Sequence, residues 1–278
     1  MNRILSILTI ALFFSTTVNA QSYEYVQQGE FGVTAGVAHY FGDLNTRAGL
    51  NRPKPTLGLF FRKQFGNYIG LRIAGHYAQL GYSDTYSNNS YQQLRNLSFN
   101  TNIYELALMG DFNFFRFVPG DPNFAFTPYV TLGVGVFSFD PYAYLAGEKV
   151  FLRPLGTEGQ TTGYKGRKEY GSTSFCIPFG AGVKYNISDK INLSFEISHR
   201  FTGTDYIDDV STTYAGINNF QAGSTAAQLQ DRSYEIDPNT PLGVKDRQRG
   251  FSKQKDQYIF AEVGVSFNLS SYRCPTAN

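Results

Sequence analysis

The sequence predicts an all-β protein: a closed antiparallel transmembrane β-barrel of about eight strands, with short periplasmic turns and long external loops. Three observations predict this fold. Apolar and polar residues alternate over about eight stretches, the connections alternate between short and long, and the polar face carries as many cations as anions. Because successive side chains of a strand point to opposite faces, each stretch has one apolar face and one polar face.

The first 20 residues are predicted to be a secretory signal peptide, and the barrel domain is assigned to residues 21–278. Arg3 supplies a positive charge, residues 4–14 form an apolar core, and residues 18–20 form a small-residue cleavage site. The apolar core is too short to cross a bilayer as a helix. We therefore expect Sec-dependent export in a Gram-negative cell and an integral outer-membrane location.

The strands are assigned in chain order from the alternation. They cover residues 30–42, 54–66, 68–82, 97–115, 125–139, 173–186, 190–204 and 256–269. In the seventh, Ile191, Leu193 and Phe195 share one face while Asn192 and Glu196 lie on the other. The first strand alternates less clearly. In a membrane barrel the apolar face contacts lipid and the polar face lines the interior.

The connections separate this fold from a soluble sandwich. Short links are expected at residues 66–67, 117–124 and 187–190, and long polar ones at residues 43–53, 83–96, 140–172 and 205–255. A sandwich gives no reason for every long connection to lie at one end, whereas outer-membrane barrels have short periplasmic turns and long external loops.

The opposite parity predicts the lining of the barrel. Strand by strand it carries Arg62, Arg72, Lys184 and Arg200 against Glu105, Asp111, Glu196 and Glu262. An eight-stranded barrel is just wide enough for side chains to fill it, and buried charges persist only when they are paired. We expect a packed interior with a satisfied charge network and no aqueous pore.

Composition excludes several classes of function. The formal net charge of +2 gives no reason to expect a nucleic-acid partner, and two cysteines are too few for a disulfide-stapled module. The mean hydropathy of −0.28 also suits a barrel, since only alternate residues meet lipid. Cys176 and Cys274 are expected at different heights of the barrel, roughly 20 Å apart along its axis, too far to pair within one chain.

Residues with catalytic or metal-binding chemistry are scarce. His39, His76 and His199 have no partners at metal-ligand spacing, and we interpret them as interfacial or network side chains rather than members of a zinc site or triad. The aspartates of residues 204–211 lack the calcium-loop pattern and are expected to cap turns and pair with arginines. The basic stretch at residues 245–255 is interpreted as a solvated loop face in preference to a polysaccharide or lipid-phosphate site. No cofactor and no enzymatic activity are expected.

Several segments together resemble a Bacteroidetes outer-membrane family. They are residues 30–45 (EFGVTAGVAHYFGDLN), 128–141, 154–160 (PLGTEGQ), 178–185 (PFGAGVKY) and 204–211 (TDYIDDVS). The family is that of PorG-like barrels of the type IX secretion system, DUF6089. The most specific residues lie at loop edges: Gly156, Thr157, Glu158, Gly159, Gln160, Asp205, Tyr206, Asp208 and Asp209.

The resemblance implies a non-enzymatic outer-membrane component that scaffolds or anchors the periplasmic ring of the machinery, a lipoprotein and its partner. That system secretes proteins with a C-terminal signal and in some species supports gliding motility. The expected partner surface is the short-turn end: residues 21–30, 117–124 and 270–278. The alternative is a small channel, or a surface-binding barrel that acts like an adhesin through its long external loops.

Overall fold

The computed structural model describes residues 27–270, with side chains from residue 29 to residue 269. The predicted signal peptide and Cys274 lie outside the described residues, as do most of the two terminal segments expected to contact a partner. The assignment of residues 21–278 to one barrel domain therefore stays a prediction at its two ends.

Eight long strands form a closed antiparallel barrel, which confirms the predicted fold class. They are β1 (Gln27–Phe41), β2 (Lys54–Phe65), β3 (Ile69–Ser83), β4 (Ser98–Asn113), β5 (Phe126–Ser138), β8 (Thr173–Ser188), β9 (Ile191–Thr202) and β10 (Gln257–Ser270). Each pairs with the next, and β1 pairs with β10 so that Val33 lies opposite Val265. A meander closed in this way has no free edge along the barrel wall.

The outer wall of the barrel is apolar because one parity of each strand points away from the interior. In β2, Leu57, Leu59, Phe61 and Phe65 are exposed, while the residues of the opposite parity, such as Phe60, are buried. Exposed aromatic side chains lie at the end of this wall where the strands are joined by short connections: Phe65, Tyr68, Phe112, Phe114, Phe115, Phe126 and Tyr185. An apolar band with interfacial aromatic residues is the surface that a barrel presents to a bilayer.

No helix within residues 27–270 has the length and apolar character to span a membrane.

The connections follow the predicted asymmetry. Residues 66–68, 114–125 and 189–190 join strands at the end where both termini of the barrel lie, which we call the periplasmic end. The other end carries residues 42–53, 84–97, 139–172 and 203–256, which together we call the external cap. Since the strands alternate in direction, every long connection falls on the same side.

The external cap contains structure that the alternation did not predict. The hairpin of β6 (Tyr142–Leu145) and β7 (Glu148–Phe151) attaches to β4 through the pair Asn100 and Tyr142. Two short helices, α1 (Ser90–Arg95) and α2 (Thr225–Gln230), begin at Asn89 and Ser224, whose side chains accept backbone N–H bonds.

The hydrophobic core lies in the external half of the barrel and continues into the cap. Aromatic side chains from the strand ends, such as Tyr40, Phe99 and Phe137, pack with Ile207 and Val210 of the longest loop. The cap is therefore held to the barrel by shared burial, and its loops are not independent of the strands.

Candidate functional site

The interior charges form two separate groups, and the structure places all eight predicted side chains inside the barrel. The cluster nearer the external cap, which we call the upper cluster, comprises Arg200, Glu105, His76 and Glu262; the one nearer the periplasmic end is the lower cluster. The lower cluster comprises Arg62, Arg72, Lys184, Glu30, Asp111 and Glu196. All ten are almost completely shielded from solvent. The sequence interpretation missed Glu30, which it placed on the partner surface, and did not count His76 among the interior charges.

The upper cluster is centred on Glu105, which lies midway along β4. Arg200 donates to both carboxylate oxygens of Glu105 at 3.3 Å, and the Tyr258 hydroxyl donates to Oε2 at 2.7 Å. The Cys176 thiol lies 3.7 Å from the same oxygen. The glutamate is therefore held by an ion pair and by neutral donors.

His76 lies between two carboxylates. Its Nδ1 is 3.3 Å from Glu105 Oε1 and its Nε2 is 3.4 Å from Glu262 Oε2. A neutral imidazole carries one N–H, whereas two facing carboxylates favour a ring with both nitrogens protonated. With His76 as a cation the upper cluster holds two positive and two negative charges. This balance is what a buried site requires.

The lower cluster brings together charges from six strands. Arg72 Nη2 lies 2.7 Å from Glu196 Oε2 and 3.3 Å from Asp111 Oδ1. Arg62 forms ion pairs with Asp111, at 2.5 Å, and with Glu30. Three cations face three anions, so this cluster is also balanced.

Lys184 differs from the other cations because its Nζ has no hydrogen-bond partner within residues 27–270. It lies 4.9 Å from the ring centroid of Tyr129 and 5.4 Å from that of Phe117. Such cation–π contacts partly replace hydration. Phe117 is itself buried, although residues 117–124 were expected to belong to a partner surface.

The two loop-edge motifs meet in the external cap, although more than 40 residues separate them in sequence. Glu158 accepts from the backbone N–H groups of Ser211 and Thr212, at 2.9 and 3.0 Å, and from the Thr212 hydroxyl. The Thr157 hydroxyl donates to Asp209 Oδ2 at 2.5 Å. The first motif therefore supplies hydrogen-bond partners for Asp209 and Ser211 of the second.

Glycines allow the first motif to turn tightly. Gly156 and Gly159 have φ values of +59° and +84°, in the left-handed region that favours glycine. A Cβ on Gly159 would lie 2.6 Å from the Cβ of Tyr164 and 2.9 Å from that of Ala215. The remaining motif residue with a polar side chain, Gln160, accepts from the Glu158 N–H at 2.9 Å.

Arg249 joins the two motifs. Its guanidinium lies 3.2 Å from Glu158 Oε1 and 3.7 Å from Asp209 Oδ2, and it also donates to the Asp209 carbonyl at 2.5 Å. Arg249 is buried, so the prediction of a solvated face was wrong at this residue, whereas Lys245 and Lys253 are exposed. The alternation of loop charges gave no signal that one arginine would turn inward.

The aspartates of the second motif were expected to pair with arginines, but not all of them do. Asp209 does, and Tyr170 also donates to its Oδ1 at 2.6 Å, yet burial raises its pKa to about 6. Asp205 accepts from the Ser211 hydroxyl at 2.6 Å, and burial raises its pKa to about 7. The neighbouring motif residue, Tyr206, stacks on Tyr170 with 4.4 Å between ring centroids. The difference from the expectation arises because these carboxyls are buried, and buried carboxyls accept hydrogen bonds from hydroxyl and N–H donors as well as from cations.

Asp208 and Asp256 share the hydroxyl of Tyr40. Tyr40 Oη lies 2.5 Å from Asp208 Oδ2 and 3.0 Å from Asp256 Oδ1, while the other oxygens accept from the N–H groups of Val210 and Ile207. One hydroxyl proton serves one acceptor, so the second carboxyl must bring its own proton. Burial, reinforced by neighbouring carboxylates, raises both pKa values well above the usual range for aspartate.

The other two histidines have structural surroundings. His39 is buried beside Asn45 and Gly49, and His199 lies 2.7 Å from Gln257 Oε1 at the external rim. Within residues 27–270 no group of three or more histidine, cysteine, aspartate or glutamate side chains is arranged to hold a metal ion.

Fold and site together define a closed transmembrane β-barrel with a filled, charge-balanced interior and a folded external cap. The chain belongs to the family described as Domain of unknown function (DUF6089), whose model matches residues 3–229. Comparison with curated proteins finds no match.

Three solved structures illustrate the likeness in fold. Neisserial surface protein A is 12% identical, with 87% of this chain and 97% of that chain covered and a TM-score of 0.42. Ail of Yersinia pestis is 12% identical, with 87% and 99% covered and a TM-score of 0.38. OprG of Pseudomonas aeruginosa is 11% identical, with 88% and 98% covered and a TM-score of 0.36. These likenesses concern the fold alone.

Proposed function

We propose that this chain is a non-enzymatic, Sec-exported integral component of the bacterial outer membrane that serves type IX secretion by anchoring the periplasmic ring. The observation that carries the structural part of this proposal is the filled interior. Two balanced clusters and an aromatic layer occupy the barrel, and the cap is bonded across its external end. Such a body suits a fixed anchor better than a conduit.

The link to type IX secretion rests on the resemblance of the strand and loop-edge segments to PorG-like proteins. The match to the DUF6089 model over residues 3–229 agrees with that resemblance. The partner would be the ring lipoprotein or its periplasmic companion, and the membrane lipids would contact the apolar wall.

The periplasmic end is where such a partner would bind. Within residues 114–125, Arg116, Pro122 and Asn123 are exposed, whereas Phe117 is buried beneath them. Of residues 117–124, Gly120, Pro122 and Asn123 are the most exposed, and the proposed contact is placed on them.

The test combines secretion with recovery of partners. A clean deletion should abolish export of type IX cargo, and Asn123→Trp should reduce both export and crosslinking to ring subunits. Asn88→Trp, the same change at an exposed residue of the external cap, is the matched control and should leave both unchanged. Normal cargo export in the deletion strain would rule out this function.

A surface-binding barrel is the second candidate, and one observation favours it: the external cap has a cavity open to the outside. The channel alternative has no comparable support, since the interior side chains are buried against one another. Planar-bilayer recordings should show no conductance steps of porin size, and regular steps would favour the channel instead.

A further inference from the structure

The hairpin of β6 and β7 continues the outer wall of the barrel above its apolar band. Asn100 of β4 pairs with Tyr142, and Tyr142 pairs with Phe151, so these three side chains share the outward face of the sheet. The opposite face of the hairpin carries Ala143 and Val150, which pack against the hydrophobic core. The hairpin is therefore fixed with an aromatic face turned outward, at the border between the apolar wall and the external cap.

Lys149 places a cation on this aromatic face. Its Nζ lies 3.9 Å from the ring centroid of Tyr142 and 4.8 Å from that of Phe151. The side chain is exposed and forms no ion pair within residues 27–270. The adjacent acid, Glu148, pairs with Leu145 and lies on the opposite face of the hairpin. An unpaired cation held on aromatic rings beside a lipid-facing wall is placed to meet an anionic headgroup.

The apolar wall below the hairpin contains an open groove of about 870 Å³. Its lining includes small and apolar residues of four strands: Val33, Ala35, Leu57, Leu59, Gly75 and Val263. Gly75 deepens the groove, because it lies between Leu59 and Leu106 in the sheet and has no side chain. A Cβ at Gly75 would meet only the Glu105 carbonyl oxygen, at 3.9 Å, so the space above it is open. In a wall that faces lipid, the occupant of such a groove is an acyl chain.

Polar side chains of β3 and β4 lie between the groove and the hairpin. Tyr77 and Tyr104 are paired across the two strands at the upper end of the groove, with 5.3 Å between their ring centroids. The Tyr77 hydroxyl donates to Asn102 Oδ1 at 3.2 Å and accepts from Gln79 Nε2 at 3.1 Å. Tyrosines with an apolar ring and a polar tip are typical of the membrane–water interface. The wall therefore changes from apolar to hydrogen-bonding to cationic along one continuous outward face.

We propose that this face binds a phosphorylated glycolipid of the outer leaflet, lipid A. An acyl chain occupies the groove, the sugars contact Tyr104 and Asn102, and a phosphate pairs with Lys149. The occupant follows from the continuity of the face with the lipid-facing wall, from the unpaired cation, and from hydroxyl and amide groups suited to sugar hydroxyls. The proposal rests on the outer-membrane location proposed above but not on the role in secretion, because the face lies at the end opposite the proposed partner surface.

The first experiment titrates the full chain in detergent micelles and counts bound lipid by native mass spectrometry. The probes are lipid A and the same lipid A with its phosphates removed. One lipid A should be retained per chain, with about fivefold higher affinity than the dephosphorylated form, as one lysine near an anionic lipid provides. Lys149→Gln should remove this preference. Lys245→Gln is the matched control, because Lys245 is also exposed and lies 5.7 Å from the ring centroid of Tyr164, but belongs to the longest loop and not to the sheet.

The second experiment fills the groove. Gly75→Leu should reduce the retention of both forms of lipid A. Gly110→Leu is the matched control, because Gly110 is also outward and open, with the Leu132 carbonyl oxygen 3.8 Å from a Cβ, but lies outside the groove and nearer the periplasmic end.

Three results would overturn the proposal: equal affinity for the two forms of lipid A in the unaltered chain, equal retention of phosphatidylglycerol, or undiminished retention in Gly75→Leu. Since binding is measured on the purified chain, normal export of type IX cargo in a deletion strain would refute the role in secretion and leave these results unaffected.

Discussion

Asp208 and Asp256 together retain one extra proton in the closed cap, and this proton should make the external cap sensitive to pH. Both carboxyls contact the single Tyr40 hydroxyl, and each also holds a backbone N–H of the segment at residues 207–210. Ionisation of both would place two buried negative charges on one donor. Raising the pH is therefore expected to weaken the attachment of this segment to the barrel rim.

The sign follows from proton binding. In an opened cap the two carboxyls reach water and ionise near their ordinary pKa of about 4, whereas in the closed cap the raised pKa values retain one proton. The closed state then binds more protons, so its stability falls from about pH 4 until the pH reaches the raised pKa. One proton corresponds to about 1.4 kcal/mol per pH unit, or about 2.7 kcal/mol between pH 5 and pH 7.

Hydrogen exchange at the amides of Ile207 and Val210 measures this stability, after correction for intrinsic exchange rates. The protection factors should fall about 100-fold between pH 5 and pH 7, with further loss from Asp205, whose pKa is also raised. Asp256→Asn keeps an oxygen for the Ile207 N–H and leaves Asp208 as a lone carboxylate on Tyr40. In this variant the protection factors should depend less steeply on pH, by the equivalent of about one bound proton.

Asp237→Asn is the matched control, because Asp237 is partly exposed in the same loop and its carboxylate bonds to Thr240 rather than to Tyr40. Its pH slope should equal that of the unaltered chain. Protection factors that do not change between pH 5 and pH 7, or an unchanged slope in Asp256→Asn, would show that the pair holds no extra proton.

Three further changes test other parts of the structure. Arg249→Met leaves two buried carboxyls without their cation, a loss of about 3–5 kcal/mol, so external protease should cut the longest loop much faster than in the exposed control Arg247→Met. His76→Leu should destabilise the barrel by a similar amount in urea unfolding from lipid vesicles, and Glu262→Gln in the same chain should restore part of the loss. Cys176, buried in the barrel, should react with thiol reagents only after unfolding, and non-reducing mass spectrometry should find no disulfide within the chain.

The barrel was predictable because membrane burial imposes a period of two over whole strands. Strands β2 and β9 begin and end within two residues of their predicted bounds. The interior charges followed from the same parity, since a polar residue on the face opposite an apolar row has only the interior to occupy. Glu30 was missed because it precedes the weakly alternating part of β1.

The external cap could not be predicted in the same way. Its residues satisfy one another across long sequence separations, as Glu158 does with Thr212, and no period relates such partners. Hairpin β6–β7 is short and rests on one edge contact, so its alternation is too brief to stand out from a polar loop. The family resemblance identified the two motifs that meet in the cap, but nothing in the sequence indicated that Arg249 would lie between them.

The two ends of the barrel should therefore respond differently to a change in pH. The lower cluster sets three cations against three anions, and two of the cations form ion pairs, so removing one member of a pair leaves an opposite charge buried without its partner. The cap instead holds carboxyls whose pKa values burial has raised, and hydroxyl donors that can re-pair. Shifts in pH at the cell surface should act on the cap while the membrane-embedded network stays fixed. In the anchoring role proposed above, a lower half of fixed charge would let the periplasmic end bind its partner whatever the pH at the external cap.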